Sequence, residues 1–178
     1  MPHVVSVQVG RARDYPGPPA WRSAFVKEPV AGRVHATADG LDGDECADLE
    51  NHGGPDHAVL AYAFAHYERW RDEIGLDAGP GGFAENLTVA GADETTVCVG
   101  DVVRVGGAVL EVTYERGPCV KISNRWSRPD LTRRVLQTGR TGWYHRVLEP
   151  GEVGAGDGYE LVERPAGAVT VLETMRAR

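Results

Sequence analysis

The chain has 178 residues and a mass of 19.2 kDa, a length that favours one domain with a sizeable core and needs no covalent staple. Hydrophobic residues make up 42% and charged residues 25%, which excludes wholesale disorder. A formal charge of −7 and a pI near 5.3 argue against a general nucleic-acid or anionic-membrane binder, because no surplus of Lys and Arg exists to neutralise phosphates.

Val5, Val7 and Val9 alternate with Ser6 and Gln8, the pattern of a half-buried strand. Residues 14–19 (DYPGPP) read as a loop, and 24–36 as two short strands broken at Glu28-Pro29. Residues 39–56 carry only Leu41 and Leu49 as large apolar side chains; so long a polar loop is more often functional than idle. Residues 58–74 admit two readings. Leu60, Ala63, Phe64, Tyr67, Trp70 and Ile74 fit one helical stripe, while 58–62 alone fits a buried strand feeding a helix over about 65–74. Gly75 is a C-cap for either. PGGF at 80–83 breaks the chain, and 87–89 is a short strand. Residues 97–105, then Gly106-Gly107, then 109–114 form the clearest hairpin signal. Residues 128–139 predict a helix with Asp130 as N-cap, Leu131 and Val135 on one face, and Gly139 as its stop. A strand over 143–148, a turn at Glu149-Pro150-Gly151-Glu152 and a last strand over 159–163 follow. Many short strands with helices at two places predict a mostly β fold, a barrel or distorted sandwich.

The N-terminus lacks the basic and apolar regions of a secretion signal, and the longest apolar run, 58–65, is far short of the roughly 18 residues of a spanning helix. The expected location is the cytoplasm, without membrane association. There the three dispersed cysteines, Cys46, Cys98 and Cys119, stay reduced. Their spacing fits neither a disulfide scaffold nor a zinc site, and no phosphate-loop or dinucleotide fingerprint is present.

Chemistry concentrates in three segments. Gly117 and Pro118 turn the chain just past the hairpin, presenting Cys119 between Arg116 and Lys121. Nearby positive charge favours the thiolate, the nucleophilic and metal-binding form. The plainer reading is a small buried residue behind the hairpin. In Asn51-His52-Gly53-Gly54-Pro55-Asp56-His57, two histidines flank a glycine turn and face one anion or metal, or else simply close a surface turn. Glu85 and Asn86 offer polar groups just before a strand, as site residues or as a turn with its cap. Cys98 packs in the sheet, and Cys46 lies in the polar loop with no assigned role.

In combination these segments resemble the MOSC domain, the module named after the C-terminus of molybdenum-cofactor sulfurase. The resemblance covers about residues 25–164 of what reads as a single domain over 1–178. It runs through Phe25-Val26-Lys27-Glu28-Pro29, Gly32-Arg33-Val34, Gly40-Leu41-Asp42-Gly43-Asp44, His52-Gly53-Gly54-Pro55-Asp56 and Glu85-Asn86-Leu87-Thr88. Arg116-Gly117-Pro118-Cys119-Val120-Lys121 and Thr138-Gly139-Arg140-Thr141-Gly142-Trp143-Tyr144 complete it. Each motif alone is weak; their order and spacing are specific.

The resemblance implies a MOSC-type β-barrel with a molybdenum cofactor (molybdopterin) site, and it favours the strand-then-helix reading of 58–74. Cys119 matches the family cysteine thought to ligate molybdenum. Lys27, Arg33, His52, Gly53, His57, Asn86, Arg116, Lys121 and Arg140 become candidates for holding the pterin and its phosphate. The family as a whole is also associated with pyridoxal phosphate binding. Two departures stand out. Position 57 is His where Lys or Arg is expected, and position 84 is Ala where the pattern has Gly. The chain also stops where some relatives add a small helical extension. Relatives reduce N-hydroxylated small molecules with electrons from an external electron-transfer protein. A cofactor carrier or sulfur-transfer module uses the same residues, and a barrel without cofactor is the third reading.

Overall fold

The protein, as a computed structural model, is described over residues 1–16, 20–48 and 53–178. His52 lies outside the described residues, as do the end of the 14–19 loop and part of the 39–56 loop. In chain order the elements are β1 His3–Val9, β2 Arg13–Tyr15, β3 Trp21–Ser23, β4 Glu28–Pro29, β5 Arg33–Thr37, β6 Gly40–Leu41, a 3₁₀ turn Pro55–His57, β7 Val59–Ala63 and α1 Ala65–Ile74. Then come β8 Leu87–Ala90, β9 Val102–Val105, β10 Ala108–Glu115, α2 Val120–Trp126, α3 Leu131–Thr138, β11 Trp143–Glu149, β12 Gly151–Gly154, β13 Tyr159–Glu163 and α4 Val171–Arg176.

Eight strands form the main sheet in the order β13-β9-β10-β11-β7-β8-β1-β4. All pairs are antiparallel except β7 and β8, whose chain returns through α1, the crossover a parallel pair requires. β12-β5-β6 make a second sheet and β2-β3 a hairpin. The expected barrel is met only in part, because no sheet closes among the described residues. The residues before β13 reach β1 at one bridge, His3↔Gly158. There Val4 N donates to Asp157 O (2.8 Å), Gly156 N to Val4 O (2.8 Å) and Tyr159 N to Pro2 O (3.0 Å). The sheet curls back on itself without a continuous ladder. A bulge in β1 between Val4 and Ser6 interrupts its pairing with β8, and bulges bend strands.

Two apolar clusters explain the curl. One fills the sheet interior with Val4, Val7, Val59, Leu87, Val89, Val103, Leu110 and Trp143. The other packs α1, α2 and α3 against the sheet through Tyr62, Tyr67, Trp70, Phe83, Ile122, Leu131 and Val135. β7 serves both: Val59, Ala61 and Ala63 face the first and Tyr62 the second. A strand buried on both faces reads as a continuous apolar run, and so 58–62 shows no strand alternation. The strand-then-helix reading holds, with Gly75 as the left-handed C-cap (φ 64°).

The hairpin is shorter than predicted, since 97–101 lies outside β9; there Cys98 makes an isolated bridge with Thr170. Glu28-Pro29, expected as a break, is itself β4, an outer strand where proline's missing N–H does least harm. The helix predicted over 128–139 is α3, ended by Gly139 at φ 76°. Asp130 occupies the N-cap, but its carboxylate pairs with Arg134 instead of capping. α2, α4 and the short strands β2, β3, β6 and β12 were not expected: β2 takes Asp14 and Tyr15 from the predicted loop, β6 takes Gly40 and Leu41 from the long polar loop, and β12 begins inside the predicted turn at 149–152.

Candidate functional site

The segment after β10 turns at Gly117-Pro118 and delivers Cys119 to the N-terminal end of α2 in extended backbone, φ −116° and ψ 167°. The Cys119 carbonyl accepts from Ile122 N (3.1 Å) and Thr132 Oγ1 (3.1 Å), which fixes it against α2 and α3. Cys119 is half-buried and in no disulfide. It lines a cavity of about 110 Å³ that also takes in Lys27, Asp44, Cys46, His57, Ala84, Asn86, Arg116, Lys121 and Tyr144.

A second hollow of about 300 Å³ adjoins it, sharing Asp44, Glu45, Cys46 and His57 and adding Gly53 and Gly54. The structure thus brings six predicted site residues to one cavity, Lys27, His57, Asn86, Arg116, Cys119 and Lys121, with Gly53 in the adjoining lobe. A larger cleft of about 820 Å³ runs beside residues 1–3 and β13, and none of the predicted site residues lines it.

Arg116 is the strongest electrostatic feature. It is 4% exposed, and its Nη1 is buried with no hydrogen-bond partner. No ion pair to it occurs among the described residues. Its backbone N donates to Gly142 O (3.0 Å), and its guanidinium lies 5.8 Å from the Phe25 ring. A buried cation lacking an anion is costly unless something fills the place. Burial pushes the Tyr144 phenol above its ordinary pKa; Arg116 opposes this, and the thiols of Cys119 and Cys46 add to it.

Lys27 differs from expectation. Its amine is ion-paired to Asp44, whose Oδ1 also accepts from Gly10 N (2.7 Å) and whose Oδ2 accepts from Asn86 Nδ2 (2.7 Å). Asn86 Oδ1 accepts from Leu60 N (3.0 Å). Lys27 and Asn86 therefore hold the cavity wall together and are already engaged with protein. Glu85 is a buried cap, accepting from Gly81 N (2.8 Å), Phe83 N (3.2 Å), Thr88 Oγ1 (2.8 Å) and the Tyr67 hydroxyl. Burial raises its pKa, and those donors oppose the rise. Ala84 sits at φ 65°, the left-handed region that favours glycine, consistent with the residue type expected there.

The His57 Nδ1 is 2.9 Å from Gly53 O; a carbonyl only accepts, so Nδ1 carries the proton. The Tyr114 hydroxyl lies within hydrogen-bond reach of the ring and donates to Nε2. His57 is wedged edge-on between Tyr114 and Tyr144, with centroids at 4.9 and 4.7 Å. Both ring nitrogens have protein partners, so His57 shapes the cavity as a ring.

Two predicted cations lie elsewhere. Arg33 forks onto Asp157 (2.9 and 2.8 Å) and reaches Glu152 O (2.8 Å), tying β5 to the turn after β12. Arg140 forks onto Glu73 (2.8 and 2.6 Å) and stacks 4.8 Å from the Trp70 ring. Neither lines the cavity; a bidentate carboxylate partner already occupies each guanidinium. Asp44, Cys46, Tyr114 and Tyr144 enter the site although sequence reasoning gave them no role. For Cys46, its place in the long polar loop was the available signal.

The family model for the MOSC domain matches residues 48–160. The chain is 39% identical over 170 residues to an uncharacterized protein, YflK, of Bacillus subtilis, covering 94% of this chain and 76% of that one. It is 38% identical over 158 residues to a fungal protein named reductase, from Gibberella moniliformis, covering 86% of this chain but only 28% of the fungal one. Its fold superimposes on the crystal structure of YiiM from Geobacillus stearothermophilus with a TM-score of 0.83 at 31% identity, covering 99% of this chain and 83% of that one. No helix among the described residues is long and apolar enough to cross a membrane.

Proposed function

The chain belongs to the MOSC family, and on that premise we propose that it holds a molybdenum cofactor against Cys119 and reduces N-hydroxylated small molecules with electrons from an external protein. The observation that carries this reading is the buried, unpartnered Nη1 of Arg116 lining the same small cavity as the Cys119 thiol. A soft sulfur ligand in one cavity with a buried, unpartnered guanidinium nitrogen is a donor set for a metal carried on an anionic organic group. Among the described residues no cluster of three His, Cys, Asp or Glu side chains is placed to hold a metal ion. Cys119 would supply the protein's sulfur to a metal that the cofactor carries.

Each residue's part follows from its placement. Cys119 supplies the thiolate, which Arg116 and Lys121 favour by their charge. Arg116 and Lys121 receive the anionic group of the cofactor, and the adjoining lobe is lined by Gly53 and Gly54, with nothing among the described residues within 4 Å of where a Cβ on Gly54 would sit. Lys27, Asp44 and Asn86 act as a rigid wall. Tyr144, with its phenol kept neutral by burial, and Phe25 make the apolar sides that exclude water. When bound, the cofactor supplies the two-electron redox change. Three dispersed cysteines cannot build an iron–sulfur relay, so the electrons come from another protein. A pyridoxal phosphate site fits less well, since one of the cavity's two lysines, Lys27, is ion-paired to Asp44.

Reduction of a hydroxylamino compound consumes two electrons and two protons and yields the amine and water. Cofactor-loaded protein with an artificial one-electron reductant is expected to convert a hydroxylaminopurine to the aminopurine. Arg116→Gln is expected to lower cofactor content, whereas Arg140→Gln leaves it unchanged. Loaded protein that consumes no N-hydroxylated substrate would refute the reductase reading.

A further inference from the structure

Charge is distributed unevenly along this acidic chain. Residues 116–140 hold seven Lys or Arg and one Asp, although the whole chain carries −7. Two of the seven are engaged elsewhere, Arg116 inside the cavity and Arg140 on Glu73. The other five, Lys121, Arg125, Arg128, Arg133 and Arg134, lie on α2, α3 and the turn between them. Only Arg134 of these is ion-paired among the described residues, to Asp130. Arg125, Arg133 and Arg134 are exposed, and Lys121 and Arg128 are half-buried. Val120 (64% exposed) and Leu136 (48%) stand on the same two helices, and the Arg125 guanidinium lies 5.0 Å from the Trp126 ring. Exposed apolar side chains set among arginines are a composition typical of protein interfaces. The patch adjoins the site: Val120 and Lys121 follow Cys119 directly, and Lys121 lines its cavity. The Cys119 carbonyl is held by Ile122 N of α2 and Thr132 Oγ1 of α3, and Ser123 Oγ meets Thr132 Oγ1 at 2.8 Å, so the two helices form one surface around that cysteine.

We propose that the exposed surface of α2 and α3 docks the electron donor, a small acidic redox protein that presents carboxylates around its redox group. The assignment of the partner as an electron donor rests on the reading of the site as a reductase. Complementary charge speeds encounter and sets orientation, so the donor arrives with its redox group toward Cys119. Electron-transfer complexes are small and short-lived, which suits a charged patch with two exposed apolar side chains better than a broad apolar face would. Each docked donor loses one electron to the site. Two encounters supply the pair that one hydroxylamino group consumes, and solvent supplies the two protons. A nucleic acid or an anionic membrane fits this surface less well. Both extend past the patch onto a chain whose remaining residues hold 12 Lys or Arg against 25 Asp or Glu, and that excess repels a long polyanion.

Binding to the full chain is measured by calorimetry without turnover, with two probes: flavodoxin, an acidic flavin protein, and a plant-type ferredoxin, an acidic iron–sulfur protein. Wild type should bind at least one of them at about 0.01 M salt. Affinity should fall about tenfold or more by about 0.1 M, over which the screening length drops from about 30 to about 10 Å. Arg125→Glu and Arg133→Glu should each weaken the complex, and together by about tenfold or more, in proteins of unchanged unfolding midpoint. Arg104→Glu, a reversal at an exposed position of β9, should alter it less than about twofold. Chemical-shift changes in the isotope-labelled chain should gather on α2 and α3. No complex with either probe at low salt, or equal binding by the doubly reversed variant, overturns the proposal. So does equal or tighter binding of a DNA duplex, or of parvalbumin, which is acidic but carries no redox group. Turnover with an artificial reductant tests the reductase reading separately, since that reagent needs no docking surface.

Discussion

The ion pair of Lys27 and Asp44 decides whether the cavity wall is a ligand or a support, and a double-mutant cycle measures it. Their side chains are 8% and 13% exposed, and Asp44 has two further partners in Gly10 N and Asn86 Nδ2. Lys27→Met removes one charge-assisted bond but leaves Asp44 those two donors, so a loss of about 2–3 kcal/mol is expected. Asp44→Ala removes all three bonds and leaves a buried ammonium unpaired, for about 3–5 kcal/mol. If the pair is one structural unit, the double variant loses about 4–5 kcal/mol instead of the sum, a coupling of about 2 kcal/mol. Urea unfolding midpoints of the four proteins supply the numbers, provided their m-values agree. Additivity within about 0.5 kcal/mol would mean that the pair contributes nothing and that Lys27 is available as an anion ligand.

His145 is fully buried, its Nδ1 3.1 Å from Val59 O and its Nε2 2.8 Å from the Tyr159 hydroxyl, and burial pushes its pKa down to about 4. The unfolded chain therefore takes up a proton first as pH falls. The contribution is fully present above about pH 6.5 and lost toward pH 4, about 2 kcal/mol of it between pH 7 and 5. Denaturation of wild type and His145→Asn across that range should show the shallower slope for the variant; parallel curves would contradict the burial argument. Cys98→Ala should lower stability by about 1 kcal/mol, the loss of a small buried side chain, and leave molybdenum and pterin content unchanged, because Cys98 lines neither lobe of the site. A Cys98→Ala protein with diminished cofactor content and unchanged stability would move Cys98 into the site.

Local signals were readable where one neighbourhood decides the structure. Gly75 and Gly139 end helices at positive φ because no Cβ is present to clash, and 143–148 alternates as a strand should. α2 was hidden because it is short and follows Gly117-Pro118-Cys119 directly. α4 carries a signal legible in sequence, the reciprocal capping box of Thr170 and Glu173.

The site divides in the same way. Cys119, Arg116 and Lys121 lie within one segment and arrive together. Arg33 and Arg140 share the same charge, but the partners that hold them, Asp157 and Glu73, lie 124 and 67 residues away in the chain. Sequence lists cations; only the fold says which already have a carboxylate. Cys46 joins Cys119 for the same reason in reverse, brought into one cavity by the hydrogen bonds that pin Asp44 and Glu45 to Gly10, Ala12 and Asn86.

The central claim is that Cys119 is the protein's ligand to a cofactor-borne molybdenum. It is tested most directly by molybdenum and pterin content of wild type and Cys119→Ser, both made in a host that synthesises the cofactor. Near one molybdenum per wild-type chain, and none in a Cys119→Ser protein of unchanged circular dichroism and unfolding midpoint, is the predicted result. Wild type without molybdenum or pterin, or Cys119→Ser with an undiminished load, would contradict it.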